Sequence, residues 1–298
     1  MKDGIMLMAY GTPQGIDGIE EYYTNILKGK KPTHEQLERL IERYQAIGGR
    51  SPLLEVTLSQ AKKLQRRLSE ASKTAKVFVG MKYSRPYISD SLKSAADADI
   101  DRLACVPVAP FYSKIGTGSY FGMVDAAAAS VERRLKIVRV NSWSGEPGLI
   151  KAWQNEISKL GIDDSYTLLF TAHSMPLTPD DDLAVYTNQI HEACAKVQAL
   201  FGNSWTLSFQ SAADMPGRWI GPSAEQKVTE LAESGVKNLA IIPIGFVADN
   251  LETMYDAGIA LGSLCKSKGI NFKVSKMPND SDGIVEALFE AGSRALGY

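Results

Sequence analysis

Histidine is scarce in this chain, with only three among 298 residues, so the position of each one matters for any chemistry that needs an imidazole. His34 falls at a polar helix start and His191 inside an amphipathic helix, where a solvated or packing role accounts for each. His173 closes an apolar run, Thr171-Ala172-His173-Ser174, a position as readily structural as functional. A second group of interest lies between Phe246 and Asp256. Asp249 or Asn250 can cap a helix there. Glu252 and Asp256, four residues apart, share one face of that helix. Carboxylates in a first turn favour the helix dipole whatever else they do. Beside a histidine they can also bind a divalent cation or accept protons. Cys105, Cys194 and Cys265 lie far apart with no metal-ligand or redox spacing, and read as reduced structural thiols. The glycines form no nucleotide loop. Gly48-Gly49-Arg50-Ser51 follows a helix, Gly116-Thr117-Gly118-Ser119 is too short, and no G-x-G-x-x-G follows the first strand. Neither a serine elbow nor a catalytic-cysteine context is present.

These groups need elements to hold them. Short continuous apolar runs predict strands at 5–9, 77–81, 103–108, 137–140, 166–171, 205–209, 239–244 and 272–274. Such runs suit strands covered on both faces, as in parallel sheets. Amphipathic stretches between them predict helices at 19–27, 34–47, 57–69, 88–98, 122–133, 150–160, 186–200, 224–234, 251–268 and 283–295. Thr33 with Gln36 forms a capping box. The alternation implies βαβ units with right-handed crossovers. Ligands of such sheets bind beyond the carboxyl ends of the strands. That rule selects Tyr10, the segment Pro110-Phe111-Tyr112-Ser113, His173, Gln210-Ser211 and the stretch from Phe246 to Glu252.

The whole chain sets further bounds. Its length suggests two domains. Hydrophobic residues make up 44% and charged residues 22%, an ordinary globular composition. A net charge of -1 gives no basic excess for nucleic acid or an anionic membrane surface. No stretch approaches the roughly 18 apolar residues of a membrane span, and no secretory signal opens the chain, so a cytoplasmic protein is expected. Arg102-Leu103-Ala104-Cys105-Val106-Pro107-Val108 echoes Asn238-Leu239-Ala240-Ile241-Ile242-Pro243-Ile244, and 5–13 echoes 168–176. Either the chain holds two related α/β domains, or buried strands simply look alike. A Ser-, Gly- and Pro-rich stretch at 141–147 marks the junction.

Five segments together resemble the ferrochelatase family, most of all its short soluble bacterial members, over almost the whole chain. They are Met8-Ala9-Tyr10-Gly11-Thr12-Pro13, the stretch from Arg43-Tyr44 through Ser51-Pro52, Ala172-His173-Ser174, Phe209-Gln210-Ser211 with Trp219-Ile220-Gly221-Pro222, and Pro243 through Glu252. The resemblance implies two similar doubly wound domains around a porphyrin cleft, the first comprising 1–143 with a C-terminal helix returning at 283–298, the second 144–282. It implies that His173 and Glu252 bind the metal and accept protons, and that Tyr10 ligates iron from the opposite porphyrin face. Arg43, Tyr44, Ser51 and Tyr120 resemble residues that hold the porphyrin. Fe2+ and porphyrin are then the partners, with transient contacts to other haem-pathway proteins open. No tightly bound cofactor is expected, nor an iron–sulfur cluster, since the chain shows no cysteine-rich tail. Coproporphyrin III is the favoured substrate and protoporphyrin IX the alternative.

Several residues depart from the family pattern. Leu27 stands where relatives often carry an arginine for porphyrin carboxylates, with Lys28 beside it; Tyr83 and Asn250 stand at histidine positions, and Ala260 at an acidic one. These changes bear on metal delivery more than on the core reaction. Two other readings remain: a cobalt or nickel chelatase for another tetrapyrrole, which would ordinarily use more histidines, and a non-catalytic porphyrin or haem carrier.

Overall fold

Strand β1 (Asp3–Ala9) is buried at all seven positions because helices cover both of its faces. The computed structural model describes residues 1–178, 183–212 and 217–298. After β1 come α1 (Ile19–Ile26), α2 (His34–Ala46), α3 (Leu53–Glu70), β2 (Lys76–Met81), α4 (Ile88–Asp97), β3 (Arg102–Pro107), α5 (Gly118–Ala128) and β4 (Lys136–Arg139). The second half supplies α6 (Pro147–Ser158), β5 (Tyr166–His173), α7 (Leu183–Gln198), β6 (Trp205–Gln210), α8 (Ala224–Glu233) and β7 (Asn238–Ile242). A π-helix (Glu252–Ala260), α9 (Leu261–Ser267), β8 (Asn271–Val274) and α10 (Asp282–Leu296) complete the chain.

The strands form two parallel four-stranded sheets, ordered β2-β1-β3-β4 and β6-β5-β7-β8. The fold is therefore the doubly wound α/β arrangement that the alternation implied. The two orders are identical, and each sequence echo joins strands at equivalent places: β1 with β5, β3 with β7. In each sheet the winding reverses beside the first strand, between β1 and β3 and again between β5 and β7. Those reversals are the points where open sheets bind ligands.

One apolar core runs through both halves, joining Ile5, Leu7 and Val106 of the first sheet to Leu168, Phe170 and Ile242 of the second. Each such side chain contributes about 1.5–3 kcal/mol when taken fully out of water. The other faces are covered separately, Met6, Met8 and Leu103 under α4 and α5, and Leu169, Leu239 and Ile241 under α8 and α9. The apolar stripe of α10, Ile284, Leu288 and Ala291, is buried against α3, α6 and β3. Where α10 meets α6 the backbones touch: a Cβ on Gly283 would lie 2.7 Å from the Gly148 carbonyl oxygen. From α3, Gln60 Nε2 donates to Asn279 O at 2.8 Å and Lys63 Nζ to Asp280 O at 2.7 Å, fixing the turn ahead of α10.

Helices α3 and α5 each start four residues before their expected bounds, and α6 and α7 three residues before theirs. Helix α3 starts at Leu53 rather than 57, because Pro52 suits a helix start. Helix α5 runs Gly118–Ala128 rather than 122–133. The charged run after it forms no further turn; Arg133 instead reaches Ile100 O and Asp101. Tyr120 thus lies in the first turn of α5.

Candidate active site

The second-domain wall is built on the end of β5. His173 pairs in register with Gln210 of β6. Its Nδ1 lies 2.6 Å from the Ser174 carbonyl oxygen, which can only accept, so Nδ1 carries the proton. In the neutral ring this leaves Nε2 with its lone pair, the tautomer that binds a metal or takes a proton. Tyr186 OH donates to His173 O at 2.9 Å and holds the backbone.

The loop after β7 lies directly on this strand end. Gly245 N donates to Thr171 O at 3.0 Å. A Cβ on Gly245 would fall 2.6 Å from Ala172 Cα, so only glycine permits the approach. It brings the Phe246 ring to 6.4 Å from the imidazole. Gln210 then ties the histidine strand to the acidic helix. Its Oε1 accepts from Thr171 Oγ1, and its Nε2 donates to Glu252 O at 3.2 Å. Of the two expected caps it is Asn250 that acts: Oδ1 accepts from Thr253 N at 3.0 Å while Asn250 N donates to Thr253 Oγ1 at 2.9 Å. The continuous helix expected over 251–268 is instead a π-helix followed by α9. Over two turns, apolar spacing does not separate a 3.6-residue period from the wider π turn, a rare geometry frequent at functional sites.

The first-domain wall is aromatic. Tyr10, just past β1, keeps 39% of its surface exposed, and its ring meets Tyr83 edge-on at 4.8 Å. Tyr44 and Tyr120 are buried. Tyr44 OH shares a hydrogen bond with Thr12 Oγ1 at 3.2 Å. Burial pushes the Tyr44 phenol up to about 12 and raises Tyr10 and Tyr120 well above the ordinary phenol value. After burial, negative charge at Glu252 adds to the rise at all three. The Glu252 carboxylate is therefore within electrostatic reach of the tyrosine wall, and the two domains face one another here. Leu251 packs with Ile19 and Tyr44 in a small apolar cluster that bridges them.

Arg43 and Ser51 are differently engaged. Arg43 Nη2 donates to Asp256 Oδ1 at 2.6 Å, and the guanidinium lies 5.1 Å from the Tyr255 ring centre. Its Nε is buried without an acceptor among the described residues. Asp256 also accepts from Ser211 Oγ. Burial raises its carboxyl above the ordinary value even though Arg43 and Ser211 pull it down. Ser51 is buried, and its Oγ accepts from Leu53 N at 3.3 Å.

A model of the ferrochelatase family matches residues 2–296. The chain belongs to the ferrochelatase family. It is 35% identical over 300 residues to "Coproporphyrin III ferrochelatase 1" of Bacillus cereus, covering 96% of this chain and 95% of that one. It is 33% identical over 302 residues to "Ferrochelatase" of Herpetosiphon aurantiacus, covering 96% and 97%. Among solved structures, SirB from Bacillus subtilis with Fe3+ superposes with a TM-score of 0.64 at 12% identity, covering 100% of this chain and 98% of that one, a likeness of fold.

In this ferrochelatase chain, His173 and Glu252 come to one strand end, with Tyr10, Tyr44 and Tyr120 within reach of Glu252, while Arg43 is tied to Asp256 and Ser51 to the start of α3. No group of three or more His, Cys, Asp or Glu side chains is gathered for a metal among the described residues. A depression of about 650 Å3, lined by Ile150, Lys151 and Lys196 among others, shares no residue with this site. One conspicuous residue was missed by the sequence reading: Lys82, at the end of β2. Its Nζ donates to Ser119 Oγ at 2.7 Å and lies 5.7, 4.9 and 5.3 Å from the ring centres of Tyr10, Tyr83 and Tyr120. Burial, then the charge of Lys28, pushes its ammonium down to about 8. The strand-end rule that found Tyr10 finds Lys82 when applied to β2. No described helix is long and apolar enough to cross a membrane.

Proposed function

We propose that this chain inserts Fe2+ into coproporphyrin III, giving coproheme, in the cytoplasm and without a tightly bound cofactor. The observation that carries the reading is the free Nε2 of His173, fixed as a lone pair by the Nδ1–Ser174 hydrogen bond and tied through Gln210 to Glu252. A free porphyrin holds two pyrrole N–H protons, and both must leave as Fe2+ enters. An imidazole lone pair and a carboxylate on one face can bring in the cation and take the protons. The macrocycle must bend to expose its nitrogen lone pairs, and binding energy from the rest of the ring within a rigid cleft supplies that distortion.

In this reading Tyr10 faces the ring from the opposite side as an iron ligand. Tyr44, Ser51 and Tyr120 hold the porphyrin. Arg43 meets a substrate carboxylate through its unmatched Nε or by sharing its bond to Asp256, a fork geometry that suits carboxylates. The domains are 1–143 with 283–298, and 144–282, the packing of α10 on α3 and β3 being the support for its return. The 35% identity to the Bacillus cereus coproporphyrin III ferrochelatase supports coproporphyrin III over protoporphyrin IX. The test is anaerobic Fe2+ insertion followed by absorbance, with the two porphyrins in parallel. Insertion with preference for coproporphyrin III is expected. Preference for protoporphyrin IX would overturn the substrate, and insertion into neither would overturn the reaction.

A further inference from the structure

Lys82 stands in the cleft with more hydrogen-bonding capacity than the protein uses. An ammonium has three donors, and among the described residues Lys82 makes a single side-chain bond, to Ser119 Oγ at 2.7 Å. Three tyrosine rings surround it at 4.9 to 5.7 Å. Ring faces attract a cation but accept no full hydrogen bond from it. No ion pair joins it to a carboxylate among the described residues. A partly buried cation is costly unless paired, so the ammonium is left with capacity for a partner from outside the protein.

Arg43, another cation near the cleft, already carries one ion pair. Arg43 is bound to Asp256 at 2.6 Å, and position 27 is leucine, which cannot hold a charge. Lys82 also touches Tyr10 and Tyr120, two of the groups proposed to contact the porphyrin. We propose that Lys82 binds a carboxylate of the porphyrin at the Tyr10 end of the cleft and so makes affinity depend on the substrate's carboxylates. This rests on the porphyrin reading above and extends it to a residue that selects the substrate by its charge.

The experiment compares coproporphyrin III with its tetramethyl ester, in the same detergent, as probes of fluorescence quenching on wild-type protein, Lys82→Met and Lys82→Arg. Loss of a charge-assisted bond predicts roughly tenfold to a hundredfold weaker binding of the free acid by Lys82→Met. The ester should bind wild type and Lys82→Met alike, and Lys82→Arg should recover most of the affinity. Equal weakening of acid and ester would show that Lys82 only packs the site and would overturn the proposal. So would unchanged binding of the acid. Failure of the wild type to bind any porphyrin would instead overturn the porphyrin reading itself, which keeps the two failures apart.

Discussion

His173 owes its proposed chemistry to one short hydrogen bond. With Nδ1 held by the Ser174 carbonyl, Nε2 is the nitrogen left for a metal or proton. His173→Ala should lower iron insertion about a hundredfold or more, the scale of a positioned acid–base group. Porphyrin affinity should stay within a few-fold, because a group used in insertion need not hold the ring. Glu252→Gln should behave likewise, and Tyr10→Phe should be milder and act chiefly on product ligation. Insertion at the wild-type rate by His173→Ala, in the anaerobic assay, would reject the mechanism. Arg43 is the second residue whose state matters. Arg43→Ala should weaken porphyrin binding by roughly 1–3 kcal/mol, and it also strands the Asp256 carboxyl, already raised by burial. Asp256→Asn separates the effects: it removes the charge partner and leaves Arg43 to the substrate. Unchanged porphyrin affinity in Arg43→Ala, measured by fluorescence titration, would remove Arg43 from the site.

At the scale of elements, the end of β5 and the loop after β7 act as one piece. Gly245 lets that loop rest on Ala172, and Gln210 fastens the first π turn to the neighbouring strand. Gly245→Ala forces backbone or loop to move, at a cost of about 1–3 kcal/mol in stability. The displaced loop carries Phe246 and leads into Glu252, so insertion should fall while porphyrin binding, proposed to rest largely on the first-domain wall, falls less. Urea denaturation and the insertion assay on the same preparation check this. Equal loss of binding and insertion would mean that the loop only supports the fold.

The whole molecule is closed by its two ends. Arg102 makes two hydrogen bonds to Asp3, at 2.8 and 2.7 Å, and Tyr298 OH donates to Asp3 Oδ2 at 2.7 Å, holding the residues after α10 against β1. The Arg102 bond holds the Asp3 carboxyl below its ordinary value of 3.8. A carboxyl lowered in the folded state contributes stability that is present above its unfolded value and lost as pH falls through the folded one. Asp3→Asn should therefore lower the urea midpoint at pH 7 and at pH 5 alike, and the gap from wild type should narrow below 3.8. A gap that is constant across that range would show that the pair contributes through shape alone.

The amino-acid sequence by itself determined the layered fold. Continuous apolar runs such as 103–108 have no polar face to give to water, so they require cover on both sides, and the amphipathic segments between them supply it. The strand-end rule likewise placed Tyr10, His173 and the region of Glu252, because parallel strands end their chemistry at one edge. Other features depended on contacts between residues far apart in the chain. The engagement of Arg43 by Asp256, 213 positions away, is set by how α2 meets the π-helix. The π geometry itself is invisible to periodicity over nine residues. The exposure of Lys82 to three tyrosines comes from β2, the loop after β1 and α5 meeting at one corner. Local pattern records which face of an element is apolar, whereas the partner of a charged group is decided by which elements the tertiary fold brings within a few ångströms of it.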